Sequence, residues 1–564
     1  QLVNNFSIEW TIINELRLRG QFGISKNFTK SDSFYPAEHT MFDSYDISDA
    51  MKKGSYTFGT GESFSMNGNL TLSYSKTFAH KHTIYGGADF YISENNGYSY
   101  SFSAIGFPNS NLDFIGSSLG YKDGSRPSSS ESKSRSLGYT ANVNYSYDNR
   151  YFVDGSFRAD GSSLFGGNNR FATFWSAGIG WNIHHEDFMA NQNFVSDMKL
   201  RGSVGESGSQ NFSSYQALST YAYYTNQRYG VWNGAYLMGH GNPNLKWQKV
   251  FQWNVGLDLS FLDGRVSAAL DVYNKHTRDL LSRRDLQAST GFTSYTENIG
   301  EMGNSGVEGM LNVYLIRNLE KRLVWSVTGK IAYNKNVILK LSDALKEDTR
   351  KALAENIELG TLLFEGDPTN AIYAVRSLGI DPSTGKELYL TKDGEITETW
   401  KSSDRVFLGS YDPKYRGNIS SLFQWGGLSI NLAFGYHFGG YQYNSTLLSK
   451  VEINKNMISA GNVDKRVYED RWQKPGDVKF FKKIDDKSTK ATSRFVMKES
   501  VFELQNVSLQ YTFDGPKFKE KTKMQALLIG LNMSEILYLS TIRLERGTGY
   551  PYARHAALSL SVTF

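Results

Sequence analysis

Three observations on this sequence predict an all-β chain folded as a transmembrane antiparallel β-barrel. Aromatic residues make up 14% of it, with 35 Tyr, 35 Phe and 10 Trp against 10 Pro, a composition that favours strands. Segments of period-two alternation recur along the chain, which sends apolar and polar side chains to opposite faces. The connections between them switch between tight turns and long polar stretches. A soluble β-sandwich is the competing host, but loops of such length are uncommon inside compact soluble domains. Short turns at one end and long loops at the other characterise outer-membrane barrels.

Taken in order, residues 6–13 and 16–28 form a first hairpin through Asn14 and Glu15. Residues 64–78 and 82–92 turn at Ala79-His80-Lys81, and residues 137–147 and 151–159 at Asp148-Asn149-Arg150. Residues 250–261 and 266–277 turn at Leu262-Asp263-Gly264, and residues 428–438 follow Gly426-Gly427. Between the hairpins lie the expected loops 29–60, 94–134, 208–246, 336–414 and 443–498. The count is about 17 strands of roughly 10 to 15 residues, long enough to cross a bilayer at a tilt. Single-chain bacterial walls have even strand numbers, so either one strand is missed or strands outside this segment complete the wall. Trp10, Trp175, Trp181, Trp253, Trp325 and Trp425 lie in or at the ends of these strands, which suits interfacial girdles, with ordinary packing in a β-protein as the alternative. The last strand places Leu558, Leu560, Val562 and Phe564 on one face and Ser559, Ser561 and Thr563 on the other. A wall with lipid outside and water inside accounts for that strip.

Other classes fall away on composition. Mean hydropathy is −0.44, and no run approaches the roughly 18 apolar residues of a membrane helix. Without cysteine there is no disulfide, thiolate zinc site or thiol nucleophile. A formal net charge of +5, from 61 basic and 56 acidic residues, gives no reason to invoke nucleic acid. The first residues carry neither a basic n-region nor an apolar h-region, so no signal peptide is expected in this segment.

Motif matches fail on context. Gly116-Ser117-Ser118-Leu119-Gly120 fits a hydrolase elbow but lies in a Ser/Gly-rich loop without the strand and helix an elbow needs. His185-Glu186-Asp187-Phe188-Met189 has Met where a zinc-binding helix needs a second His. Residues 379–386 resemble a phosphate loop, yet Glu387 stands where Ser or Thr belongs, and a turn at Asp381 is the better reading. Asp381 and Asp393 lack the alternating ligands of a calcium loop. No catalytic residue, metal or cofactor is therefore expected. The aromatics Tyr223, Tyr224, Tyr229 and Trp232 lie in a long loop, where they would either stack on substrate or a partner or pack on the loop itself.

Several stretches resemble the SusC/RagA-type TonB-dependent transporters of the Bacteroidetes outer membrane. They are residues 157–166, beginning Phe157-Arg158-Ala159-Asp160-Gly161, and 170–181, ending Gly180-Trp181. Further on come residues 298–309, beginning Asn298-Ile299-Gly300-Glu301, then Arg471-Trp472-Gln473-Lys474-Pro475-Gly476-Asp477, and Gly547 to Arg554 before the last strand. The resemblance implies a barrel of about 22 strands with a lumen plug. It also implies a SusD-like surface lipoprotein as lid and energy from the TonB complex. Residues 1–564 would then be the carboxy-terminal part of one barrel domain, with the plug, TonB box and first strands on another polypeptide. A terminal strand ending in an aromatic resembles the signal read by the barrel-assembly machinery, which assigns that role to Leu558, Leu560, Val562 and Phe564.

Two functional readings follow. One is import of glycans or peptides across the outer membrane. The other is a non-transporting scaffold whose long loops dock other subunits.

Overall fold

The structure, a computed structural model, describes all residues except 108–110, 123–124, 168, 210–215, 287–290, 293, 299, 356–361, 459–460, 486 and 544–553. The motif between Gly547 and Ala553 lies outside the described residues, as does Ile299. Among the described residues seventeen strands make one large sheet, which meets the expected number and the all-β class. Neighbouring strands within it, among the described residues, run antiparallel.

In chain order the sheet takes β1 (Leu2–Ile13), β2 (Leu16–Tyr35), β3 (Ser55–Phe78), β4 (His82–Ile105), β5 (Ser128–Tyr147), β6 (Tyr151–Ser162), β7 (Phe171–Asn182) and β8 (Val195–Ser209). A separate hairpin, β9 (Thr220–Tyr229) and β10 (Trp232–Gly239), follows. The strands β11 (Gln248–Phe261) and β12 (Val266–Arg278) rejoin the sheet, β13 (Leu281–Asp285) and β14 (Ser294–Asn298) pair apart from it, and β15 (Gly300–Asn318) and β16 (Leu323–Leu341) continue it. Helix α1 (Asp343–Ala354) leads to a four-stranded sheet of β17 (Ala371–Ile380), β18 (Glu387–Leu390), β19 (Ile396–Thr397) and β20 (Arg405–Ser410). Then come β21 (Tyr415–Trp425) and β22 (Leu428–Tyr443), the short helices α2 (Ser445–Lys450), α3 (Lys455–Ile458) and α4 (Arg466–Glu469), β23 (Val496–Phe513), α5 (Pro516–Thr522), β24 (Ala526–Ser540) and β25 (His555–Thr563).

The tight turns fall where the sequence puts them. Ala79 and His80 have φ of 47° and 57°, and Asp148 and Asn149 have 53° and 54°. Two consecutive left-handed residues match the twist of the flanking strands, which is why such turns join long hairpins. At the opposite end the strands run further than expected. β2 reaches Tyr35 and β4 reaches Ile105, so the connections shrink to residues 36–54 and 106–127. The expected loops 336–414 and 443–498 hold most of the small sheet and the short helices instead of irregular chain.

The chain divides into two compact units. One comprises Gln1–Gly178, Gly205–Lys249 and Leu281–Asn298; the other comprises Ile179–Val204, Val250–Leu280 and Ile299–Phe564. In the second unit the register of the paired wall strands sends alternate residues to opposite faces. The row Leu270, Gly309, Ile331, Gly417, Tyr436 and Phe502 is apolar, as is the row Val272, Val307, Tyr333, Tyr415 and Phe438. The alternate rows carry the charges: Lys330, Asn418 and Glu503 with Ala269, Met310 and Gly435 in one, and Asp271, Glu308, Arg416 and His437 with Ala332 in the next. The first unit repeats the pattern, with Leu18, Leu72, Ala88, Ala141 and Phe157 on one face and Arg19, Thr71, Asp89, Thr140 and Arg158 on the other. From the Trp425 and Leu323 row to the Tyr333 and Tyr415 row is ten residues along β16. At a rise of ~3.4 Å and a tilt near 45° that spans about 24 Å, the height of a lipid-facing band. Trp425 and Trp325 bound it at the turn end, and a chain of rings, Tyr333, Tyr415 and Phe438, bounds it above with centroids 5.4 and 5.3 Å apart.

Candidate functional site: the polar face and the surface subdomains

The polar face of the second unit holds a recess of about 760 Å³ lined by Asp271, Glu308, Lys330, Arg416, His437 and Glu503 among others. Period two puts these residues there, because each lies one position from an apolar residue of the opposite face. Deeper contacts fix the charges. Arg201 bridges Asp258 through Nε at 3.0 Å and Asp271 through Nη2 at 2.7 Å. Above them runs a ladder of amides, with Asn304 accepting from Asn334 at 3.3 Å and from Asn336 at 3.0 Å. Asn336 in turn accepts from the Thr369 amide and hydroxyl, which ties the wall to the turn that leads into β17. Fixed polar groups of both signs on one face offer a hydrophilic solute many weak, exchangeable contacts. They form no catalytic triad, and no group of three or more potential metal ligands occurs among the described residues.

The small sheet and the short helices close on one another around a buried ion cluster. Arg494 donates to Glu387 at 2.8 and 3.0 Å and to Glu452 at 2.6 and 3.0 Å, with side-chain exposures of 5%, 1% and 0% for Arg494, Glu387 and Glu452. Its guanidinium lies 4.7 Å from the Phe495 ring centroid. Tyr389 donates to Glu387 at 3.3 Å; burial first, and then the Glu387 charge, holds its phenol well above the usual range. Arg471, whose pKa burial pushes down, donates to the carbonyls of Val451 at 2.7 Å and Ile453 at 3.3 Å. The neighbouring Trp472 donates to the Pro382 carbonyl at 2.9 Å and covers Gly385, where an added Cβ would meet its ring at 2.4 Å. Gly385 has φ of 71°, so this turn requires glycine on both counts. The Arg471 to Asp477 motif is thus a clasp on the 381–386 turn. That turn is built as the sequence implies: the Asp381 carboxylate accepts from the Ser383 amide and from the Ser383 and Thr384 hydroxyls.

In the first unit, residues 157–166 end in a second core. Phe165 stacks on Trp247 at 4.3 Å, with Ala172 and Phe174 beside them. The four aromatics of the expected loop lie on the β9 and β10 hairpin, so "loop" is corrected to strand. Tyr229 and Trp232 face each other across its turn and are 88% and 74% exposed. Tyr223, 71% exposed, pairs with Ala235 beyond a register shift, and Tyr224 packs on Tyr236 at 4.8 Å. The structure therefore brings Tyr229 and Trp232 together and draws Tyr224 away into the hairpin. On β25, Leu558, Leu560 and Val562 pair with Leu531, Ile529 and Leu527, extending the apolar face, and Phe564 is exposed at the chain end. The charged recess and the ion cluster were not singled out from the sequence. Polar residues at alternate strand positions were the available signal for the first.

The sequence matches the family described as TonB dependent receptor-like, beta-barrel, over residues 2–463. The chain belongs to that family. It is similar to TonB-dependent receptor P3 of Formosa agariphila, at 27% identity over 97% of this chain and 54% of that protein. It is also similar to TonB-dependent receptor SusC of Bacteroides thetaiotaomicron, at 34% identity over 58% of this chain and 33% of SusC. Among solved structures, the RagAB peptide transporter superposes with a TM-score of 0.85 at 23% identity, covering all of this chain and 61% of the matched one. The chain thus spans about half the length of the full-coverage curated relative P3. Family membership puts it in the outer membrane as a multi-strand β-barrel, in which the apolar face is toward lipid and the polar face toward the lumen.

Proposed function

We propose that this chain supplies most of the wall and the extracellular loops of a TonB-dependent importer of oligomeric nutrients, glycans or peptides. The polar lumenal face, with Lys330, Arg416, Asp271 and Glu503 around one recess, carries the reading, because a wall that only anchored other proteins would not need both signs of charge along its interior. On this reading a SusD-like surface lipoprotein closes the extracellular mouth, and a plug coupled to the TonB complex gates the lumen. The plug and the remaining strands are carried by polypeptide beyond these residues, and the barrel-assembly machinery inserts the wall. Tyr223, Tyr229 and Trp232, exposed on the β9–β10 hairpin, contact substrate or lid. Transport requires no covalent chemistry.

Cells with the locus intact should take up labelled oligosaccharides or oligopeptides, and deleting TonB or the plug segment should abolish uptake while surface binding persists. Uptake that survives the deletion would overturn coupled import. The scaffold reading has one observation in its favour, the tightly cross-braced surface subdomain around Arg494, which suits a rigid docking platform. Native purification separates the two: a lipoprotein lid with bound oligomer supports import, and unrelated stable partners over an occluded lumen support the scaffold.

A further inference from the structure

The lipid-facing surface of the first unit changes character at one row. On β2 to β6 it is apolar up to Phe22, Gly68, Ile92, Leu137 and Gly161. The next row toward the extracellular end holds Ile24, Met66, Glu94 and Arg135. From the turn-end residue Tyr147 to Leu137 is ten residues along β5, about 24 Å of height at a ~3.4 Å rise and a tilt near 45°. Arg135 therefore lies at the level of the outer headgroups.

A groove of about 440 Å³ crosses this transition. Met66, Ile92, Leu137 and Phe171 supply its apolar lining, and Arg135 and Arg170 its cations. The Phe171 ring lies over Gly161, where an added Cβ would come within 2.7 Å of it. Arg135 is 62% exposed and anchored through Nε to Glu94 at 2.7 Å. Among the described residues its terminal nitrogens make no further bond. The Arg170 side chain has no hydrogen bond or ion pair there either, while its carbonyl accepts from the Ser162 amide at 3.0 Å and so fixes the backbone. Lys133 also approaches Glu94, at 3.4 Å. Two cations, Arg135 and Arg170, against the one carboxylate of Glu94 leave the groove lining positively charged, with Lys133 beside it.

We propose that this groove binds a phosphate-bearing lipid of the outer leaflet, with an acyl chain on the apolar lining and the phosphate between Arg135 and Arg170. The order of polarity along the groove, apolar in the band and cationic at the headgroup level, is that of such a lipid. Guanidinium forks match phosphate oxygens bidentately, and basic pockets at membrane interfaces recognise lipid headgroups in this way. The proposal rests on the outer-membrane location and not on transport, so its test reads lipid binding alone.

The native complex, delipidated in mild detergent, is titrated with monophosphoryl lipid A and with the same lipid after dephosphorylation, and bound lipid is counted by native mass spectrometry. Preference for the phosphorylated form is expected, falling about tenfold in Arg170→Gln, the loss of one charge-assisted contact. Because the Arg170 side chain holds no protein group, this variant keeps its fold, which unheated gel mobility verifies. Lys76→Gln, at the turn end of the same face, should leave the preference unchanged. Equal binding of the two lipids, or an Arg170→Gln variant indistinguishable from the parent, would overturn the site.

Discussion

Arg494 shows what a single buried charge does in this molecule. It satisfies two carboxylates that have almost no contact with water, and each of the three groups comes from a different stretch of the chain. Replacing it with Met would leave Glu387 and Glu452 buried together without a cation, a change that costs roughly 3–5 kcal/mol in comparable sites. The surface subdomain should loosen, seen as faster amide exchange in residues 371–410 and 445–495, while the barrel strands keep their protection. Unchanged exchange would show that the cluster is not what holds the subdomain. Asp381 gives a pH-dependent counterpart. The Thr384 hydroxyl, followed by the Ser383 amide and hydroxyl, pulls its pKa down to about 2. A depressed carboxylate stabilises the fold above its unfolded value of ~3.9 and loses that contribution as pH falls toward the folded value. Exchange in the 381–386 turn, corrected for the intrinsic rate, should therefore rise as pH drops from about 4 to 2. It should already be raised at neutral pH in Asp381→Ala.

The hairpins were legible in the sequence because lipid on one side and water on the other impose period two on every wall strand. The residues expected to turn at 79–81 and 148–150 do so. The legibility stops at the top of the apolar band. Beyond it both faces of β2 to β5 meet water, so Lys26, Phe28 and Lys30 follow one another on the outer face with no apolar alternation to mark a strand. For that reason the strand extensions to Tyr35 and Ile105 read as loop. The ion cluster was hidden for another reason: Glu387, Glu452 and Arg494 are up to 107 residues apart, and no local pattern links them. Close packing between strands also escapes the sequence pattern. At Gly417 an added Cβ would lie 2.0 Å from the Lys330 carbonyl and 2.5 Å from the Tyr436 hydroxyl. Gly417→Val should therefore force β21 off β16, lowering the temperature at which the barrel loses its compact form on unheated gels. A variant with unchanged transition temperature would mean that the β16 backbone at Lys330 gives way without penalty, against this account of the packing. On β25, Phe564→Asp should reduce the amount of protein reaching the outer membrane, and normal levels would remove the terminal aromatic from the assembly role.

At the scale of the whole molecule the terminal strands carry the proposal of a completed wall. β1 and β25 are exposed at every position, with Phe6, Ile8 and Trp10 on one and Leu558 and Leu560 on the other. In a bilayer each unpaired backbone N–H or C=O costs several kcal/mol, so a wall of this family leaves no strand edge to lipid. Seventeen strands are fewer than the about 22 of plugged transporters. The proposed completion by further strands makes a geometric statement that can be checked. Cysteines bridge only when their Cα atoms lie within about 7 Å, which is the spacing of paired strands. In the native complex, Leu560→Cys should oxidise to a cysteine placed in the strand of the polypeptide that carries the plug. It should fail to join Phe6→Cys on β1 of its own chain. Efficient joining of Leu560→Cys to Phe6→Cys would mean that these strands close on themselves, and the completed-wall proposal would fall.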